Sequence, residues 1–506
     1  MLTISSQAKE LANSGLLRSS RNCDMAQLPI EAFPAWALLN NVDFVNAEIR
    51  NIEGKGLGLV ARNDITDEGH DASGTPAILR IPRDLVLSAE AVEEYAKVDQ
   101  NFKQLLDVAG HQSTRDDIML YLLTHLVQSR ANSSSTRAFA STPWTEYIKF
   151  LPRPIPVPTM WTNGERGLLK GTSLEAAVSA KLSTLSIEYD ELCEQASALP
   201  FWNTLLSESA TLEDWILADA WYRSRCLELP RAGHAMVPGL DMANHSQTHS
   251  AYYDESSDGD VVLLSRSGSR VQAGEEITIS YGGAKSAAEM LFSYGFIDTG
   301  SSVKELTLHL EALPDDPLGR AKFHIYKGPP TVRLSTTGDD IQWSSPFLYL
   351  LVLNEEDGLA FRVLQDTSGG RQLKLFWQDE DVTDRTGEFE SLVQNHPLHQ
   401  VFKLRAVAVL EERVAMQLDR ISSGPSYGAT EQSQTAANEP RAECRLAAET
   451  LRDLETQVLQ GVAQALENEK ARLLLDADVV TYLGSMEDAQ NEQASGPAAN
   501  DDDEFS

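Results

Sequence analysis

The residues whose types and spacing could do chemistry fall in two short segments, 239–246 and 274–296. The first reads Gly239-Leu240-Asp241-Met242-Ala243-Asn244-His245-Ser246. The second places Tyr281-Gly282 just past the apolar run Ile277-Thr278-Ile279, and Tyr294-Gly295-Phe296 a little later. His245 and His249 stand four residues apart with Asp241 nearby, so a metal site has to be weighed. Metal-binding histidine pairs of that spacing sit on a helix with a glutamate base between them. Here Gly239, Asn244, Ser246 and Ser250 surround the pair and no glutamate intervenes, so no metal is expected. The plain structural alternative is a turn in which Asn244 only hydrogen-bonds backbone. Tyr281 reads as a strand-end residue, facing either an open site or the rim of a core. An ordinary phenol, with a pKa near 10, keeps its proton at neutral pH, so a hydrogen-bonding role suits it better than that of a base.

Two more pieces carry chemical meaning. Glycines at 54, 56 and 58 let backbone approach a ligand closely, or simply form a tight turn into a strand. A strand and not a long helix follows them, against a dinucleotide fingerprint, and no Gly-Lys-Ser/Thr follows, against a P-loop. Ser224-Arg225 ends a helical stretch. An arginine there could grip a carboxylate with both nitrogens, or form an ordinary surface ion pair.

These residues need elements to hold them. Alternation of Leu57, Leu59 and Ala61 predicts a half-buried strand, and Ala77–Ile81, Val261–Leu264 and Ile277–Ser280 read as further strands. Helical spacing covers about 88–107, 115–130, 173–198 and 211–227. Pro152, Pro154, Pro156 and Pro158 interrupt it with a run that fits neither helix nor central strand. Beyond about 303 the pattern changes. Leu404, Val407, Leu410, Val414 and Leu418 predict one long amphipathic helix, and Leu451, Leu454, Val458, Val462 and Ala465 predict another. The polar stretch 422–440 between them reads as a loop. Phe361–Leu364 and Leu373–Phe376, around Ser368-Gly369-Gly370, read as a hairpin.

The two segments of chemistry, with Gly56-Leu57-Gly58-Leu59-Val60-Ala61 upstream, resemble the cofactor site of SET-domain methyltransferases. The likeness points to the subfamily of the Rubisco large subunit, ribosomal lysine and actin-histidine methyltransferases. It implies an α+β fold: a split SET domain of short β-strands over 34–298, with a helical insertion at about 88–225. A mainly α-helical substrate-binding lobe over 303–482 would follow, with a flexible start at 1–33 and a disordered acidic tail at 487–506. The implied cofactor is S-adenosyl-L-methionine. Its contacts would be Lys55, Gly56, Leu57, Arg225, Asn244, His245 and Tyr294, with Tyr281 as the catalytic tyrosine beside the methyl group. Ser224, Arg225, Asp241, Tyr252 and Tyr281 match the substrate side. The chain departs from the pattern at Lys55, where a glutamate is common, and at Ser286-Ala287-Ala288. The implied function is protein-lysine N-methylation of a non-histone protein. Protein-histidine methylation, or a non-catalytic SET-like scaffold, is the alternative. A free lysine amine is neutral in about one molecule of a few thousand at pH 7, a handicap of about 4–5 kcal/mol. A narrow aromatic channel reduces it, because desolvation disfavours the ammonium.

Composition sets the bounds. The 506 residues carry 42 basic against 75 acidic side chains, a net charge of −33, which argues against a phosphate-backbone binder. That acidity serves solubility, or attraction to a basic protein substrate such as a ribosomal or translation-related one. The cysteines Cys23, Cys193, Cys226 and Cys444 lack CxxC spacing, against a disulfide framework or zinc cluster. The start has no apolar signal-type stretch, and Phe347–Leu353 is too short to cross a bilayer. A monomeric cytoplasmic or nuclear protein with no nucleic-acid or membrane partner is expected.

Overall fold

The computed structural model describes residues 27–65, 77–130, 139–153, 155–283, 285–301, 304–337, 340–365, 370–424 and 439–494. The chain divides into two compact units. The first comprises 1–155 and 184–281, the second 156–183 and 282–506.

The first unit holds the short strands. β1 (Ala47–Ile52), β2 (Gly56–Ala61) and β8 (Glu276–Ile277) form one antiparallel sheet in the order β1-β2-β8. Leu59 lies opposite Ile49 on one side and Ile277 on the other. β2 differs from the half-buried strand its sequence predicts. Gly58, Leu59, Val60 and Ala61 are all buried, because this central strand is covered on both faces. β3 (Ala77–Ile81), β6 (Ala251–Glu255) and β7 (Val261–Ser265) make a second sheet, in the order β3-β7-β6. β4 (Cys226–Leu229) and β5 (Gly233–Met236) make a hairpin.

The helical insertion follows its periodicity closely. The Thr114–Arg130 and Leu212–Arg225 helices match the expected segments. The segment expected at 88–107 is instead two helices, Ala89–Val98 and Gln100–Ala109. Asp99 makes the break, since its carboxylate caps Phe102 N–H at 2.9 Å and also accepts from Ala140 N–H at 2.7 Å. The interior of Thr114–Arg130 is buried from Asp117 to Val127. Its ends are tied by ion pairs: Arg115 to Asp219 at 2.8 Å and Arg130 to Asp214 with both terminal nitrogens. Phe33, Trp36, Tyr147 and Phe150 pack ring against ring beneath the segment that carries Asp241.

The second unit is built on two long helices, His399–Ser422 and Ala442–Leu474, as the heptad-like spacing predicts. Val407, Leu410 and Val414 of the first share a core with Val458, Leu459, Val462 and Leu466 of the second. The lobe is mainly helical, as expected, and its helices also carry two small sheets. β9 (Lys304–His309), β10 (Thr331–Thr337) and β11 (Asp340–Ser344) form one antiparallel sheet. β12 (Leu359–Gln365), β13 (Arg371–Trp377) and β14 (Glu380–Asp381) form another. The β12–β13 hairpin is the one read from sequence, with Gln365 opposite Arg371. Its turn at 366–369 lies outside the described residues, as does 425–438 of the expected loop. Trp161, Leu168 and Leu174 pack with Leu291, Cys444 and Leu451 in a smaller core. The expected disordered tail from 487 is also corrected in part. The last helix runs Ala477–Ala494, because Met486, Glu487, Ala489, Gln490, Glu492, Gln493 and Ala494 are good helix formers. Residues 495–506 lie outside the described ones. Among the described residues no helix is long and apolar enough to cross a membrane.

Candidate functional site

The site lies wholly in the first unit, where the β1–β2 turn, the 239–246 segment and the strand end at 276–281 meet. Gly54 and Gly56 take φ of +75° and +78°, a backbone few other residues adopt without strain. Nothing lies within 4 Å of where a side chain on either would begin, so the turn presents bare backbone to open space. Gly58 answers a different need. A Cβ there would lie 2.7 Å from Ile52 Cγ1 and 2.8 Å from Asn244 Nδ2.

Asn244 ties the three pieces together. Its Nδ2 donates to the Leu57 carbonyl at 3.2 Å and to Glu276 Oε1 at 2.8 Å. The other oxygen of Glu276 accepts from Lys55 Nζ at 2.6 Å. Sequence reading missed Glu276. The available signal was its place at the head of the Ile277 strand, one residue out of phase with the inward-facing isoleucines.

Two backbone bonds stitch the segments in a parallel bridge between His245 and Ile279. Ser246 N–H donates to the Ile279 carbonyl at 3.1 Å, and Ile279 N–H to the Asn244 carbonyl at 2.9 Å. Tyr281 is then fixed at both ends. Its N–H donates to His245 Nδ1 at 3.0 Å, and its hydroxyl donates to the Ala243 carbonyl at 2.7 Å. With its proton committed to Ala243, the phenol oxygen can only accept from a further partner. His245 Nδ1 is likewise engaged, and no group of three His, Cys, Asp or Glu residues that could hold a metal occurs among the described residues.

Asp241 sits behind this array with a fully buried side chain. Arg225 Nη1 donates to the Asp241 carbonyl at 2.8 Å and to its carboxylate at 3.4 Å. The Tyr147 hydroxyl donates to Asp241 Oδ1, and Gly239 N–H reaches the same oxygen at 3.1 Å. Burial pushes the Asp241 carboxyl above its usual range, with Arg225 opposing, and the same burial, reinforced by Asp241, raises Tyr147 well above that of an ordinary phenol. Asp241 therefore braces the 3₁₀ turn Leu240–Met242. Tyr147, which the sequence reading also missed, belongs to that brace. Its role comes from a contact between residues 94 apart in the chain.

The remaining expected residues belong to other elements. Ser224 turns its hydroxyl back to the Ala220 carbonyl at 2.6 Å, and Tyr252 stands exposed on β6. Neither joins the hydrogen-bond network of Asn244, Glu276 and Tyr281. Tyr294 ends the Ala287–Tyr294 helix of the second unit, where the Gly295 left-handed cap at φ +84° packs on Pro156 and Lys285 lies 5.9 Å from the Tyr294 ring.

Comparison with known proteins bears on this geometry. The SET domain-containing protein 8 of Schizosaccharomyces pombe is 30% identical over 374 residues, covering 72% of this chain and 80% of that protein. The Pisum sativum ribulose-1,5 bisphosphate carboxylase/oxygenase large subunit N-methyltransferase is 27% identical over 301 residues, 57% of this chain and 55% of that one. Mus musculus actin-histidine N-methyltransferase is 26% identical over 371 residues, 68% of this chain and 57% of that one. The chain thus spans little more than half the length of these two enzymes. Among solved structures, the SET domain of LSMT bound to lysine and AdoHcy matches with a TM-score of 0.62 at 20% identity, covering 88% of this chain and 92% of that one. No protein-family model matches. The shared fold, the Gly58–Asn244–Tyr281 arrangement and the extent of the fission-yeast match lead to one conclusion: the chain belongs to the SET-domain family, in the branch of the Rubisco and actin-histidine methyltransferases.

Proposed function

We propose that this protein is an S-adenosylmethionine-dependent protein-lysine N-methyltransferase acting on a non-histone protein. The observation that carries the reading is Tyr281, locked by His245 Nδ1 at its N–H and by the Ala243 carbonyl at its hydroxyl, on the strand end to which Lys55 ties the bare Gly54–Gly56 turn through Glu276. The residues present fit the cofactor. The turn offers open backbone. Arg225 Nε is buried with no hydrogen-bond partner among the described residues, as suits a group that a ligand carboxylate would satisfy. Lys55, Gly56, Leu57, Asn244 and His245 would hold the cofactor with it. When bound, the cofactor supplies an electrophilic sulfonium methyl group.

The chain's own part is positioning. The Asn244–Glu276–Lys55 bonds fix the turn against the strand end. The Tyr281 oxygen, with its proton engaged on Ala243, presents lone pairs that can accept from polarised methyl C–H groups or from an amine N–H. Burial around Asp241, Arg225 and Tyr147 keeps the supporting turn rigid and dry.

The test has two parts. Calorimetry with the cofactor should show binding, and its absence at high micromolar concentration overturns the reading. Incubation with labelled cofactor and lysate from the source organism, followed by hydrolysis of the labelled band, should release methyl-lysine. Release of methyl-histidine alone would overturn the lysine assignment while keeping the transferase.

A further inference from the structure

The second unit contains a cleft of about 600 Å³ far along the chain from the residues of the proposed chemistry. Its walls come from β11, the short Phe389–Val393 helix and the two long helices. Gly461 lets the Ala442–Leu474 helix approach closely, since a Cβ there would lie 3.2 Å from Ile341 Cδ1. One wall is aromatic. Trp343 is half-buried with its ring 6.3 Å from that of Tyr349, and His399 stacks on Tyr349 within 14° of parallel.

What the cleft exposes is a set of groups able to accept hydrogen bonds. Tyr349 is only 2% exposed, yet its hydroxyl bonds to no group among the described residues and lines the cleft. His399 Nδ1 is buried and likewise without a partner there. Glu390 is exposed on the rim with no ion pair among the described residues, held there by the buried Phe389 and Val393 on either side of it. Of the other lining charges, Lys403 pairs with Glu469 at 2.6 Å, so Glu390 leaves the lining net negative; Glu469 also reaches Arg472, outside the lining, at 2.8 Å. Burial, with Glu390 and Glu469 adding to it, pushes the Tyr349 hydroxyl up to about 12, so it stays neutral.

A phenol oxygen, an imidazole nitrogen and a free carboxylate beside an indole face ask for one partner. It must be a cation, flat enough to stack, with several donors in a fixed fan. A guanidinium has five N–H donors and stacks on aromatic rings, whereas an ammonium is compact and more strongly hydrated. An anion is disfavoured because Lys403 is already neutralised. We propose that this cleft is a docking site for an arginine side chain carried by a protein partner. The proposal deepens the methyltransferase reading, on which it rests for the partner being a protein. The net charge of −33 favours approach of a basic chain.

The test uses the full-length protein without cofactor, so that it is independent of turnover. A short fluorescein-labelled peptide of alternating arginine and glycine is titrated by anisotropy, beside citrulline and lysine versions of the same length. The arginine peptide should bind about tenfold more tightly than either. Glu390→Gln and Trp343→Ala should each weaken it by a similar factor, whereas Glu191→Gln, on an exposed helix face of the first unit, should leave it unchanged. The exposed Glu390 site keeps the test sound should Trp343→Ala fold poorly. Equal binding of citrulline or lysine peptides, no effect of Glu390→Gln, or an equal loss with Glu191→Gln would each overturn the arginine site. None of these outcomes touches cofactor binding, which tests the methyltransferase reading separately.

Discussion

The Asn244 side-chain amide and the Glu276 carboxylate meet at 2.8 Å directly over Gly58, where even a methyl group would collide with the amide. This contact joins residues from three separate stretches of chain, and it sets the geometry on which the cofactor reading depends. Gly58→Ala should therefore push Asn244 off Glu276. Cofactor affinity by calorimetry is expected to fall about tenfold or more, with a melting temperature lower by a few degrees.

Glu276→Gln separates binding from chemistry. The amide retains an acceptor for Asn244 but loses the charge that holds Lys55 at 2.6 Å. The exposed lysine pair itself contributes little, on the order of 0–1 kcal/mol. A rise of a few-fold in cofactor Kd with kcat unchanged at saturation is expected. A fall in kcat at saturating cofactor would place Glu276 in the chemistry instead.

Tyr281→Phe should do the reverse. The ring and the backbone bond to His245 remain, while the hydroxyl and its bond to Ala243 are lost. Turnover is expected to drop by about tenfold to a hundredfold with cofactor Kd nearly intact. Asn244→Ala should instead raise Kd. Full-rate methylation by Tyr281→Phe would remove that residue from the catalytic role.

Tyr147→Phe addresses the brace. It deletes a donor to the buried Asp241 carboxylate, leaving Arg225 and Gly239 N–H to satisfy it. Denaturant unfolding should show a loss of about 1–3 kcal/mol. Activity of the variant still folded should be reduced through displacement of the 239–246 segment.

A pH dependence is expected in the second unit. Glu455 is 4% exposed and accepts from Ser173 N–H at 3.0 Å and the Ser173 hydroxyl at 2.5 Å. Burial pushes its carboxyl up to about 7 from 4.5, with Ser173 and then Arg452 opposing. An acid whose folded pKa is raised holds its proton more tightly folded than unfolded. Its contribution is thus fully present below about 4.5 and is lost as pH rises to about 7, on the order of 3 kcal/mol. Stability measured from pH 4.5 to 8 should fall less steeply in Glu455→Gln than in the natural protein. Parallel curves would show that Glu455 does not titrate in this window.

Local patterning determined a great deal here. Three- and four-residue spacing located the Thr114–Arg130, Leu212–Arg225, His399–Ser422 and Ala442–Leu474 helices, because each buries one stripe or is buried all round. Asn244, His245 and Tyr281 were legible for a different reason: their types and order match a family whose chemistry needs them. What spacing could not supply is partnership at a distance. Glu276 reads as one of two adjacent acids until β2 brings Gly58 and Asn244 against it, and Tyr147 reads as a core aromatic until Asp241 arrives at its hydroxyl. In the second unit β9, β10 and β11 were missed in the same way, while the β12–β13 hairpin was legible. The three missed strands are short and mixed in polarity, and their pairing is decided by the sheet and the Ala442–Leu474 helix packed on it. Periodicity records which face of an element is apolar. Only the tertiary structure decides which polar groups, brought out of water together, must satisfy one another.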